Sequence, residues 1–351
     1  MMRGSPDNSV ELGLNRAAIL RKAMSKRTLV TAQLDVEPGS IVEGRYELVS
    51  LLGEGGFAAV YEAFDASIER TVALKILDVG LVPNDKETRN RLLSRFQREA
   101  QVAARIDHPG VVGIYDYGFI GDRVEHPYIV MERLHGWDLE EQIFERGPLA
   151  PDRAIPLFIG ALEALGEAHS KGIVHKDLKP GNIFYTHPGE PHESLRIVDF
   201  GVAFMENAAE GRLTKTGEIL GTPNYLAPEY INEQIATPAL DVYQMGLILL
   251  EMLSARRVVS GSTAMRCLYT HISGELEIPK ALVDSELGPV LTVALAQDHE
   301  RRFADGRAFA NALRTVDPSA IPRLPDGDIP MARPLTQSGQ QDGGGTETEN
   351  L

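Results

Sequence analysis

The hydrophobic period of this chain changes partway along its length, and that change limits the folds open to it. Residues 46–77 alternate apolar and polar positions in three runs, "YELVSLLG", "FAAVYEAF" and "TVALKIL", with turn residues between them. This is the period of strands with one buried face. A helix is predicted near 88–106, then two short strands around 113–118 and 127–131. From 152 onward the period is helical: Ile155, Phe158, Leu162 and Leu165 recur on one face, and Gly172 supplies a stop. Two short strands, 183–185 and 195–198, interrupt the helices and are joined by the Pro/Gly-rich loop "THPGEPHES". A β-rich first part followed by a mostly helical second part is an α+β pattern with two lobes. A ligand is expected in the crevice between them.

Composition narrows the function classes. The chain has 351 residues, enough for one large domain or two lobes with a sizeable core. Its 35 basic and 50 acidic side chains give a net charge of −15, which argues against nucleic acid as a partner and against a polybasic membrane anchor. The lone Cys267 excludes a disulfide framework and every cysteine-based zinc pattern, and it fits a reducing compartment. No apolar run approaches ~18 residues, because "GLILLEML" is broken by Glu251, so no membrane insertion is expected. The start "MMRGSPDNS" resembles neither a signal peptide nor a myristoylation site, and the expected location is cytoplasmic.

The ends differ from the middle. Residues 1–44 are near neutral and poor in aromatics, and read as a largely flexible extension; Leu12 to Met24 has the pattern of a short, marginal amphipathic helix. Residues 315–351 are rich in Pro, Gly and acid, and read as a disordered tail.

Five places carry chemistry. "GEGGFAAV" (53–60) is a glycine-rich turn between strands, either a plain hairpin turn or a cradle whose bare backbone amides approach phosphate. Lys75 is the one charge on a strand with two apolar faces, so it is either partnered or snorkels from a sheet edge. Glu99 falls in the apolar stripe of Leu92, Phe96, Ala103 and Ile106, which makes it the candidate counter-ion for Lys75. In "HKDLKPGN" (175–182), Asp177 could accept or orient a hydroxyl proton, Lys179 could stabilise a transferring phosphoryl group, and Asn182 offers an amide oxygen to a divalent cation. A plain polar loop is the alternative. His175 reads as a packed, hydrogen-bonded histidine. In "RIVDFG", Asp199 ends an apolar strand before a glycine, 22 residues after Asp177, a position suited to a metal ligand.

Taken in order, "GEGGFAAV", "VALK", "HKDLKPGN", "DFG" and "APE" resemble the eukaryotic-type serine/threonine protein kinases, and the chain is similar to the bacterial members of that family. The likeness covers about 45–314. It implies a two-lobed protein-kinase-like fold, with a small β-rich N-lobe (45–132) holding the family's αC helix and a larger α-helical C-lobe (133–314). It further implies that Lys75 holds the α- and β-phosphates of ATP and pairs with Glu99. Asp177 would be the catalytic base or hydroxyl-orienting group, Lys179 would act at the γ-phosphate, and Asn182 and Asp199 would hold Mg²⁺, with Mn²⁺ as an alternative. Gly53, Glu54, Gly55, Gly56, Phe57, Ala58, Val60 and Ala73 would cover the nucleotide. By the same likeness Met131 is the gatekeeper, Glu132 to Leu134 the hinge, Asp138 the ribose contact and Phe184 the adenine floor.

The same region bears on the substrate. Lys179 within "DLKPGN" is similar to serine/threonine rather than tyrosine kinases, and "GTPNYLAPE" (221–229) resembles a peptide-docking segment, with Thr222 bridging Asp177 and Lys179. Protein Ser/Thr substrates are thereby implied, whereas small-molecule phosphotransferases of related fold lack that segment. Asp241 matches the residue that braces the catalytic loop, and Arg302 is placed to pair with Glu229. The chain departs from the family pattern at Ala58 for a third glycine, at the bulky Phe184, and at Lys176 where an arginine is usual. Thr214 and Thr216 are the phosphorylation candidates of the activation loop. The implied function is an autophosphorylating serine/threonine protein kinase; the alternative is a pseudokinase-type signalling scaffold.

Overall fold

The computed structural model describes residues 36–55, 58–79, 86–120, 126–200, 223–324 and 331. The chain divides into two compact units, one ending at Ala100 and resuming for Ile114–Arg133, the other formed by Gln101–Gly113 and the residues from Leu134 onward.

The first unit is an antiparallel sheet of β1 (Ile41–Val42), β2 (Tyr46–Glu54), β3 (Ala58–Asp65), β4 (Arg70–Leu77), β5 (Ile114–Ile120) and β6 (His126–Glu132), with helix α1 (Lys86–Ala103). The strand order is β1-β2-β3-β4-β6-β5. The alternation along β4 sorts its two faces, since successive strand residues point to opposite sides. Val72, Leu74 and Ile76 pack with Tyr46, Leu48, Ala63 and Val130 on one side. On the other, Leu77 packs with Phe96 and Ala100 of α1 and with Ile129. Each large side chain so buried contributes roughly 1.5–3 kcal/mol, which is what holds the helix to the sheet. At the rim, Arg45 grips Asp65 through two nitrogens (2.9 and 2.7 Å) and reaches Asp116 at 3.1 Å. That guanidinium draws the Asp65 carboxyl down to about 2.

The second unit is built on α2 (Pro151–Ser170) and α3 (Pro238–Ser254), joined by α4 (Ala264–Ser273), α5 (Gly306–Leu313) and shorter helices. The apolar stripe of α2 is the one its period predicts: Ile155, Phe158, Leu162 and Leu165 are all buried. Gly172 follows at φ 72°, a left-handed position that favours glycine and ends the helix. Every residue of α3 from Ala239 to Ser254 is buried, as befits a helix apolar on nearly all sides. The helix α5 approaches α2 at Gly306, where a Cβ would lie 2.5 Å from the Leu162 carbonyl oxygen. A three-stranded sheet, β7 (Gly136–Asp138), β8 (Ile183–Thr186) and β9 (Ser194–Ile197), completes the unit.

The start of the segment read as a disordered tail is ordered. Val316 and Ile321 are buried, a short 3₁₀ turn spans Pro318–Ala320, and Met331 bridges Pro279. Composition misses this because two apolar side chains are enough to seat a short segment on an existing core. The N-terminal extension up to residue 35 lies outside the described residues.

Candidate active site

The loop 175–182 has no regular structure before the Pro180–Asn182 turn, so its shape depends on side chains from elsewhere. Two come from one face of α3. Asp241, fully buried, accepts the backbone N–H of His175 through Oδ2 and that of Lys176 through Oδ1, both at 2.7 Å. His169 lies 2.9 Å from Asp241 Oδ2, and its Nδ1 accepts the Gly306 N–H, so Nε2 carries the proton and donates to the carboxylate. One turn along α3, Gln244 accepts the Leu178 N–H at 3.0 Å and donates to the carbonyls of Lys176 and Tyr225.

This clamp holds a strained backbone. Lys176 sits at φ 72°, which costs a residue with a Cβ roughly 1–2 kcal/mol. A hydrogen bond to a charged acceptor contributes about 1.5–3 kcal/mol, so the bond to Asp241 offsets the strain. The result is that Asp177 is aimed by groups some 65 residues away in sequence.

His175 is a packed histidine, as its context implies. Its Nδ1 accepts the Asp177 N–H at 3.3 Å, its Nε2 donates to the Val198 carbonyl at 3.2 Å, and its ring lies 4.8 Å from that of Phe200. Complete burial holds its pKa below the usual imidazole value and keeps it neutral. It thereby ties the Asp177 loop to the segment carrying Asp199.

Around Asp177 the predicted partners converge. Lys179 Nζ donates to Asp177 Oδ2 at 3.2 Å, and Asn182 Nδ2 donates to the Asp177 carbonyl at 2.7 Å and to Oδ2 at 3.2 Å. These bonds turn the Asn182 amide oxygen away from Asp177. The register of β8 and β9 pairs Ile183 with Ile197, and Val198 N–H donates to the Asn182 carbonyl at 3.0 Å, so Val198 lies opposite Asn182 and Asp199 follows one residue later. Asp199 itself has φ 52°. An amide oxygen and a carboxylate are hard oxygen donors, the kind that suits Mg²⁺.

Other candidates lie in the same unit. Asp138 caps the short helix Leu139–Glu141, accepting the Glu141 N–H at 2.8 Å, and burial raises its carboxyl pKa despite that bond. Phe184 sits opposite Asp138 in the β7–β8 pair, and Leu134 begins the unit's second stretch. Arg302 and Glu229 form a buried two-pronged pair, 2.9 Å on each prong, the pair that the family resemblance implies.

Within the first unit, register places Gly53, Val60 and Lys75 in line across β2, β3 and β4, and Ala73 opposite Met131. With Ala58 opposite Leu77, these positions share one sheet face. It is the face that α1 covers, and Lys75 Nζ stands 6.0 Å from the Phe96 ring. Gly55 N–H donates to the Ala58 carbonyl at 2.8 Å, and Glu54 pairs with Ala59. Glu132 pairs with Val72, and Arg133 next to it binds Glu62 at 2.8 Å. Gly56, Phe57, Thr214, Thr216, Thr222 and the side chain of Glu99 lie outside the described residues, and with them the Lys75–Glu99 pairing.

Sequence reasoning missed Gln244 and His169. A signal existed for Gln244, which follows Asp241 by three residues and so shares its helix face. Nothing local marks His169, whose role depends on Gly306.

The sequence profile described as the protein kinase domain matches residues 46–314. The chain belongs to the protein kinase domain family. Among curated relatives it is 35% identical over 281 residues to the serine/threonine-protein kinase PrkC of Bacillus subtilis, covering 79% of this chain and 41% of that protein. It is 36% identical over 265 residues to a probable serine/threonine-protein kinase of Streptomyces coelicolor, covering 74% and 38%. With the serine/threonine-protein kinase PknL of Mycobacterium tuberculosis it shares 30% identity over 301 residues, covering 85% and 71%. The chain thus spans only about two fifths of the length of several relatives it matches. No helix among the described residues is long and apolar enough to cross a membrane.

Proposed function

We propose that this chain is an ATP-dependent protein serine/threonine kinase acting in the cytoplasm on protein hydroxyls. The observation that carries the reading is the convergence of Lys179 and Asn182 on Asp177, in a loop held from behind by Asp241 and Gln244. Such a loop presents one carboxylate and one ammonium group in fixed relation, which phosphoryl transfer needs because its catalysis is mostly positioning and charge stabilisation.

In this reading Asp177 accepts or orients the proton of the attacking Ser or Thr hydroxyl, and Lys179 stabilises charge on the transferring group. Asn182 and Asp199 hold Mg²⁺, with Mn²⁺ as a substitute, and Lys75 holds the nucleotide phosphates with Glu99 as its counter-ion. The bound metal–ATP complex supplies the γ-phosphoryl group. Gly53, Gly55, Ala58, Val60, Ala73, Met131, Glu132, Leu134, Asp138 and Phe184 line the nucleotide, and Thr222 bridges Asp177 and Lys179. The names of the relatives support the same class of reaction. No observation favours a catalytically silent scaffold.

Radiolabelled ATP with casein or myelin basic protein tests this. Label transfer is expected from the native chain, and Asp177→Ala is expected to lower turnover by about two to four decades while nucleotide binding survives. Equal labelling by the two proteins would overturn the reading.

A further inference from the structure

The loop between β8 and β9 has no part in the phosphoryl-transfer reading, yet it gathers ligand-bearing side chains. His187 Nδ1 lies 3.7 Å from Glu190 Oε2, and His192 Nε2 lies 3.3 Å from the same oxygen. The two imidazole rings are 4.3 Å apart, and one donor atom from each of the three residues falls within 4.8 Å of the other two. A tetrahedral zinc centre has bonds of about 2.0–2.1 Å, which sets its ligand atoms about 3.4 Å apart. The two histidine–glutamate separations bracket that spacing.

The loop is braced in this shape by its own backbone. His187 N–H donates to the His135 carbonyl at 2.9 Å, Glu190 N–H to the His187 carbonyl at 3.0 Å, and Glu193 N–H to the Glu190 carbonyl at 3.1 Å. Glu193 in turn accepts the Gly189 N–H at 2.8 Å and is anchored by Arg153 and Tyr185, each at 2.6 Å. Pro188 and Pro191 restrict the backbone further. His187 holds φ 50°, a left-handed conformation that a side chain rarely adopts without such support. The donors are also reachable, with side-chain exposures of 36% for His187, 56% for Glu190 and 63% for His192.

We propose that this loop is a binding site for a borderline divalent metal, zinc before others, held by His187 Nδ1, Glu190 Oε2 and His192 Nε2 with solvent completing the coordination. Two imidazoles and one carboxylate suit zinc and its neighbours, whereas magnesium prefers all-oxygen surroundings. The site is therefore chemically distinct from the Asn182–Asp199 pair and independent of the kinase reading. Because a neutral imidazole is the form that binds a metal, uptake competes with protons and weakens in acid.

The test uses the full chain stripped of metal by a chelator and titrated with zinc chloride by calorimetry in excess magnesium. A parallel titration with cobalt(II) is followed by visible absorption. One saturable zinc site and a tetrahedral cobalt band are expected, with His187→Ala and His192→Ala each weakening zinc by about tenfold or more. The double variant should lose the site while keeping its metal-free melting temperature and its magnesium-supported phosphate transfer. A double variant that binds zinc as tightly as the native chain, or a native chain with no saturable site, would overturn the proposal.

Discussion

Asp241 holds Lys176 in a left-handed backbone conformation, its Oδ1 accepting the Lys176 N–H at 2.7 Å while Lys176 sits at φ 72°. A buried carboxylate thereby stores strain next to the group that would act on the phosphoacceptor. Its other oxygen is shared between His175 N–H and His169, so its lone pairs are well used.

Asp241→Asn is therefore expected to cost more than a surface change of the same size. The amide would present a donor to one of two backbone N–H groups, leaving it unsatisfied in a dry site. A loss of about 2–4 kcal/mol in stability is expected, together with a large fall in phosphate transfer. Thermal unfolding and label transfer on the same preparation check both, and a variant that loses neither contradicts the bracing role.

Arg302→Met should destabilise by roughly 3–5 kcal/mol, since it strands the buried Glu229 carboxylate. It also removes the donors to the carbonyls of Ala239 and Ala296. The double variant Arg302→Met with Glu229→Leu should recover part of that loss, because the uncompensated charge is gone. Urea denaturation of the single and double variants measures the difference.

Two buried groups push stability in opposite directions over the same pH range. Burial raises the Glu251 carboxyl to about 7, against hydrogen bonds from Tyr225 and Val258 that favour its ionised form. Its contribution is complete below about 4.5, the unfolded value, and is lost as pH rises through about 7. Burial lowers His271 to about 4, and it packs neutral between Tyr243 and the Pro223 carbonyl. Its contribution is complete above about 6.5 and is lost as pH falls through about 4, and the buried His175 acts with the same sign. Each of these two displacements corresponds to about 3 kcal/mol, so in the native chain they largely cancel. Glu251→Gln removes one side of this balance. Its stability should fall more steeply than the native chain's between pH 6.5 and 4.5, as melting temperatures across that window will show.

Lys176 stands where the family pattern has arginine, and lysine keeps the charge without the two-pronged geometry that grips a phosphate. Phosphorylation at Thr214 or Thr216 is expected to activate the enzyme by a modest factor, and Lys176→Arg to enlarge it. Rates of the unphosphorylated and fully phosphorylated forms, native and variant, give the comparison. No difference between the two native forms would end this reading of regulation.

Much of the architecture is legible in the chain because period is a local property. The strands at 46–54, 58–65 and 70–77 and the buried stripe of α2 follow from side-chain alternation that needs no tertiary information. The candidates for chemistry are legible for a related reason: Asp177, Lys179 and Asn182 lie within six residues, so one loop must bring them close. The sequence alone, then, determined the order of the lobes and which side chains could act.

Tertiary structure decided how those side chains are aimed. Lys176 adopts an unfavourable backbone angle because Asp241 and Gln244, on a helix far along the chain, offer buried acceptors and a donor at the right places. The same holds for His169, whose tautomer is set by the Gly306 N–H, and for the loop at 187–192, whose donors meet through backbone bonds. A hydrogen bond in a dry interior depends on distance and direction, and neither is written into the spacing of residues along the chain.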